Sequence, residues 1–162
     1  MRQGAWIKKY RLPAAVALSV AVIDQLTKAL AASSILRGEV VEVIPGFFNL
    51  VYVNNPGAAF GMFAEGGIAA FVFLVAVSIV ALGVIAYMLK QSVSKLTDVS
   101  LSLIAGGAVG NLIDRVRFSS VVDFLDFHVK GYHWPAFNIA DTAITSGVVL
   151  TLVAIVFSKD KA

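Results

Sequence analysis

The sequence predicts an all-α membrane protein: four transmembrane helices carrying a small β-rich element at one membrane interface. Three observations predict it. First, 59% of the 162 residues are hydrophobic and 14% are charged, whereas a soluble domain carries about 25% charged residues. Second, the apolar residues gather in four runs, each close to the roughly 20 residues needed to cross a hydrocarbon layer about 30 Å thick at about 1.5 Å per residue. Third, the link after the first run changes character, from continuous apolar sequence to β-branched and aromatic residues punctuated by turn formers.

The first run, about 12–32, follows Arg2, Lys8, Lys9 and Arg11 and contains Ala29-Leu30-Ala31, which gives it the outline of a cleavable secretory signal. Asp24, Gln25 and Lys28 interrupt it before that point, so it is expected to stay as a span. The link that follows, VVEVIPGFFNLVYVNNPGAAF, reads as two short strands joined by a Pro-Gly turn. Unpaired strands cannot lie bare in lipid, so these belong at the interface, packed on the helix ends. The second span is expected at 68–89. The third has a short apolar core, Val99 to Ile113, and extends to about 97–116. The fourth covers 137–157, and the chain reads as one membrane domain over 1–162.

Lys and Arg set the orientation. The N-terminal tail, Lys90 and Lys95 between the second and third spans, and Lys159 and Lys161 at the end are expected in the cytoplasm. Arg37, Arg115, Arg117 and Lys130 lie on the other, periplasmic side with the β-rich element. The net charge of +3 and pI near 9.3 therefore reflect topology signals at span ends and not a nucleic-acid-binding face. No cysteine is present, which excludes a disulfide framework, a thiol nucleophile and a thiolate metal site. With His128 and His133 as the only imidazoles, neither a metal centre nor another cofactor is expected.

The polar residues inside this apolar chain carry the functional question. Asp24 and Lys28, four apart, share one helix face with the acid N-terminal to the base; they read first as a structural ion pair, and second as support for a site. GGAVGNLIDR places Gly106 and Gly110 at the spacing that lets another backbone approach. Asn111 and Arg115 follow one turn apart, with Asp114 beside them. An arginine there is suited to hold carboxylates or a lipid phosphate. Asn138-Ile139-Ala140-Asp141 reads as an N-cap followed by an acid in the first turn, with Pro135 just before. Asp123 follows a helix that has just left the membrane and Asp141 opens the helix that returns, so the two acids can meet at one depth.

Two adjacent carboxylates share a proton and titrate as a unit. Such a pair can activate a water against a peptide carbonyl and protonate the leaving nitrogen with no metal and no covalent intermediate. Asp126 competes with Asp123 for this role, and spacing does not choose between them. Intramembrane acids also mark ion pathways, so a small transporter or proton-conducting protein using the Asp/Asn/Arg cluster is the alternative, and a structural subunit a third. A transporter would hold its acids near mid-depth and often shows a repeat; no repeat is present here.

Five blocks carry a resemblance to a known family: Asp24-Gln25-Leu26-Thr27-Lys28, Asn55-Pro56-Gly57-Ala58-Ala59-Phe60, Gly106 through Arg115, Val122-Asp123-Phe124, and Pro135 through Asp141. Together and in this order they resemble the type II, or lipoprotein, signal peptidases, which are bacterial inner-membrane aspartyl proteases. The resemblance implies a catalytic dyad of Asp123 and Asp141, which sets Asp126 aside by motif. It implies that Asn55, Gly57, Asn111, Asp114, Arg115 and Asn138 line or support the site and that Asp24 and Lys28 are the first-helix pair. It implies as substrate a prolipoprotein whose cysteine carries diacylglycerol, cut just before that cysteine, with membrane lipid as the surrounding partner and a monomeric enzyme. Pro56 is a local variation that stiffens the turn. Within this frame Asn111 is expected to anchor substrate, because a neutral amide bonds a peptide backbone at modest desolvation cost. Arg115 is expected to be structural, paired with carboxylates at the helix end.

Overall fold

The computed structural model of the chain describes residues 2–57 and 67–159. Residues 58–60 of the second motif and Lys161 lie outside the described residues. Four helices are long and apolar enough to cross a membrane, and the chain is a multi-pass membrane protein. They are α1 (Arg2–Ser34), α2 (Gly67–Gln91), α3 (Lys95–Phe118) and α4 (Ile139–Lys159). The first three contain the corresponding expected spans, α1 starting ten residues earlier, whereas α4 starts two residues after its expected span and ends two residues beyond it.

Among these helices α3 is the most enclosed, and it packs against all three others. Its small residues make this possible. A Cβ on Gly106 would stand 2.6 Å from the Ala17 carbonyl oxygen of α1, and one on Gly107 would collide with the Ala140 carbonyl oxygen of α4. Backbones therefore meet where the GG pair lies. At one end of the bundle the Lys9 ammonium donates to the Lys90 carbonyl at 2.7 Å, which seats the start of α1 beside the end of α2.

The opposite end carries one antiparallel four-stranded sheet in the order β1 (Val40–Ile44), β2 (Phe48–Asn55), β3 (Val121–Val129), β4 (Tyr132–His133). The expected hairpin is present, turning at Pro45-Gly46 with Gly46 at φ 73°. The link after α3 adds β3 and β4 to it, because Ser119 ends α3 in the left-handed conformation, φ 56°, and lets the chain leave as a strand. Buried Phe124 on β3 packs with Ala31 and Ile35 at the end of α1. The sheet is thus seated on the helix ends, as the cost of bare strands in lipid requires.

Candidate active site

After β4 the chain doubles back along β3. The Trp134 amide donates to the Phe127 carbonyl at 2.8 Å, and Leu125 and Phe137 exchange amide bonds at 2.9 and 3.1 Å. This strap delivers Asn138 and Asp141 to the side of Asp123, which a reading of spacing alone left as a possibility.

Asn138 is the N-cap of α4 and touches both acids. Its side-chain oxygen accepts the Asp141 amide at 2.9 Å, while its own amide donates to Asp141 Oδ2 at 3.3 Å. This is a capping box with aspartate at N3, the expected local role of Asp141. The Asn138 Nδ2 donates to Asp123 Oδ1 at 2.7 Å. Asn55, diagonal to Asp123 across the β2–β3 ladder, donates to Asp123 Oδ2 at 3.1 Å, and the Gly57 amide holds the Asn55 oxygen at 3.0 Å. Pro56 has no N–H, so Gly57 offers the first amide after the turn. Asp123 is 3% exposed. Burial pushes its carboxyl up to about 6, the charge of Asp141 adds to this, and the bonds from Asn55 and Asn138 oppose it.

Asp126 points elsewhere. Three positions from Asp123 on a regular strand, it lies on the opposite face, where Asn49 donates to its Oδ2 at 2.9 Å and His133 Nδ1 stands 2.8 Å from its Oδ1. Burial raises its carboxyl, but the bonds from His133 and Asn49 and the neighbouring imidazole charges outweigh this and hold it below the usual value. His128 stacks on His133 with ring centroids 4.7 Å apart.

A second layer lies beneath the acids. Lys28 pairs with Asp24 at 2.8 Å, the expected ion pair, and also with Asp114 at 3.1 Å, all three side chains being almost wholly buried. Asp24 Oδ1 accepts the Ala140 amide at 2.9 Å and so caps α4 from α1. Asp114 Oδ2 accepts the Val122 amide at 3.2 Å and fixes the start of β3 one residue before Asp123. Gln25 donates to Asp114 Oδ1 at 2.8 Å. Sequence reasoning missed Gln25 as a contributor, because it is not on the i, i+4 face of Lys28; its partner lies 89 positions away.

The contacts of Asn111 and Arg115 add to what the sequence led us to expect of them. Asn111 lines the cavity, where its oxygen accepts the Lys28 ammonium at 2.8 Å and one N–H of its Nδ2 donates to Asp141 Oδ1 at 2.8 Å, which leaves the second N–H of the amide for another acceptor. It holds an acid in place. The ion pairs among the described residues are Lys28–Asp24, Lys28–Asp114 and His133–Asp126. Arg115 is in none of them and its buried Nε has no partner there. Lys28 makes the close contact with Asp114 from α1, while Arg115, at the cavity wall, is attracted by the charges of Asp141, Asp123 and Asp114 without closing an ion pair with any of them.

That cavity, of about 730 Å³, opens beside Asp123 and Asp141 and is lined by Arg115, Asn55, Trp134 and Thr145 among others. Acids at its wall, amide donors fixed behind them and an arginine facing in suit polar chemistry on a chain bound in an apolar groove. Among the described residues no three His, Asp or Glu side chains gather as a metal site.

Residues 16–157 match the family described as Signal peptidase (SPase) II. The chain is 46% identical over 147 residues to the lipoprotein signal peptidase of Desulforapulum autotrophicum, covering 89% of this chain and 91% of that one. It is 49% identical over 138 residues to that of Syntrophus aciditrophicus, covering 83% and 85%. A solved structure described as a bacterial membrane enzyme, determined by the in meso method, superposes with a TM-score of 0.84 at 34% identity, covering 93% of this chain and 90% of that one. A match that runs through all four helices and both links of the sheet end makes this chain a member of the signal peptidase II family.

Proposed function

We propose that the protein is an aspartyl endopeptidase that removes the signal peptide from prolipoproteins, cutting just before a cysteine that carries diacylglycerol. It acts as a single-domain monomer in the bacterial inner membrane, with both termini cytoplasmic and the site near the periplasmic face. The observation that carries this reading is Asn138, whose side chain donates to Asp123 while its backbone amide donates to Asp141. One residue thereby holds both carboxylates at the wall of a single cavity.

The pair activates a water against the scissile carbonyl and returns a proton to the leaving nitrogen. Because the site lies where the helices end, lipid tails stay between helices while the peptide bond reaches water. Small residues around the cleavage point fit beside the Thr142 and Thr145 side of α4, and Arg115, whose buried Nε has no hydrogen-bond partner among the described residues, is available to a substrate carbonyl.

The test is cleavage by purified protein of a prolipoprotein substrate with and without the diacylglyceryl group. The lipidated substrate alone is expected to be cut. Asp123→Asn and Asp141→Asn are expected to abolish cleavage while each protein still folds, and Asp126→Asn to retain most of it. Full activity in Asp123→Asn with loss in Asp126→Asn would reverse the assignment.

A further inference from the structure

Three asparagine amides face the two acids, and a group that can only donate fixes each of them. The Gly57 amide takes the Asn55 oxygen, the Asp141 amide takes the Asn138 oxygen, and the Lys28 ammonium takes the Asn111 oxygen. An ammonium and a backbone N–H have no acceptor to offer, so none of the three amides can turn over. Each NH2 therefore points at an acid: those of Asn55 and Asn138 at Asp123, that of Asn111 at Asp141.

Counted by direct hydrogen bonds the acids are equal, for each accepts two N–H groups. Their settings are not. Asp141 is the third residue of α4, at the positive end of a helix of 21 residues, where an anion is stabilised. The amide that serves it, Asn111, is polarised from behind by an ammonium at 2.8 Å. Asp123 sits on a strand, where peptide dipoles alternate and nearly cancel, and it is almost sealed from water. The charged groups around the pair are Lys28 and Asp24 from α1 and Arg115 and Asp114 from α3. They sum to zero, so contact decides, and of the four it is Lys28 that touches the amide bonded to Asp141.

We propose that Asp141 enters the reaction ionised and Asp123 protonated, and that Lys28, acting through the Asn111 amide, is the positioning residue that fixes this order. This rests on the dyad proposed above. The water oxygen bonds to the scissile carbonyl carbon as Asp141 takes the water proton and Asp123 gives its proton to the carbonyl oxygen. The resulting gem-diol collapses: the C–N bond breaks, nitrogen takes the proton from Asp141, and a hydroxyl proton returns to Asp123. Each acid ends as it began. The raised Asp123 carboxyl, near 6, agrees with this order.

The test is a crossed pair of pH profiles of kcat/KM, whose limbs report the base and the acid of the free enzyme. Asn111→Ala is expected to move the acid limb to higher pH by about one unit, the scale of losing one favourable neighbour, and to leave the alkaline limb. Asn55→Ala touches only Asp123 and is expected to move the alkaline limb up and leave the acid limb. Lys28→Met is expected to move the acid limb as Asn111→Ala does and, because the Lys28 charge also acts weakly on Asp123, to raise the alkaline limb by less, with Lys28→Arg restoring the profile. Because Lys28→Met leaves Asp24 and Asp114 without their cation, the double variant Asp24→Asn/Lys28→Met, which keeps the net charge, is measured beside it with melting temperatures. The opposite crossing would put the proton on Asp141 and overturn the order. An acid limb moved by Asn111→Ala but by neither Lys28 variant would make Lys28 structural only. Cleavage surviving in Asp123→Asn or Asp141→Asn would instead remove the dyad beneath the proposal.

Discussion

Replacing Gly110 with alanine tests how tightly the layer beneath the acids is built. The new Cβ would stand 2.5 Å from Asp24 Oδ2, 3.1 Å from its Cγ and 3.4 Å from its Cβ. Ordinary contact begins near ~3.5 Å, so the carboxylate must retreat by roughly 1 Å. Asp24 has nowhere to go. It is fully buried, its Oδ2 holds Lys28 at 2.8 Å and its Oδ1 holds the Ala140 amide at 2.9 Å. A shift of that size takes one of these bonds beyond hydrogen-bonding distance. Overpacking costs about 1–3 kcal/mol and a charge-assisted bond about 1.5–3 kcal/mol, so the expected loss is about 3–5 kcal/mol. At roughly 2–4 °C per kcal/mol for a chain of this size, the melting temperature in detergent should drop by on the order of 10 °C. Activity should fall with it, since Lys28 moves and takes the Asn111 amide along. Gly83→Ala on α2 is the control: its Cβ would meet nothing within 4 Å, and its melting temperature should match the parent. A Gly110→Ala protein that melts with Gly83→Ala would refute the claim that Asp24 is pinned.

Three further outcomes are expected. With Asp123 raised from 3.8 to about 6, the native state binds this proton more tightly than the unfolded chain. Stability is then full below pH ~4 and falls by about 3 kcal/mol as pH climbs through 6; melting scans should show this slope flattened in Asp123→Asn. For Asp126, whose carboxyl is held low, the sign is reversed: its contribution is present above its unfolded value of 3.8 and lost as pH falls through the folded one. Asp126→Asn and His133→Ala should each lower the melting temperature, and a double variant no worse than the poorer single one would establish their coupling. Reporters fused after Lys161 should read cytoplasmic and those placed between Gly38 and Pro45 periplasmic; the opposite pattern would put the acids on the wrong side for a signal peptidase.

What the sequence by itself determined is what depends on near neighbours along the chain. Hydropathy summed over some 20 residues located α1 to α4, because crossing lipid is a property of a segment. The Pro-Gly turn between β-branched runs located β1 and β2, and the Asn138 to Asp141 capping box was legible because both of its bonds close within three residues. The i, i+4 rule likewise found Lys28 with Asp24. The third and fourth strands were not legible: the segment containing Asp123 and Asp126 becomes a strand by pairing with β2, some 70 residues earlier, and only that pairing sends the two acids to opposite faces. The contacts of Asn111 and Arg115 were also decided by tertiary structure. Both lie on one face of α3, and the sequence assigned the substrate to one and the carboxylates to the other. What ties Asn111 to Asp141 is Lys28, brought from α1 to α3 by the bare backbone at Gly106 and Gly110. A long flexible side chain takes its partners from whichever helix packs against it, and that packing is settled by contacts more than 80 residues apart.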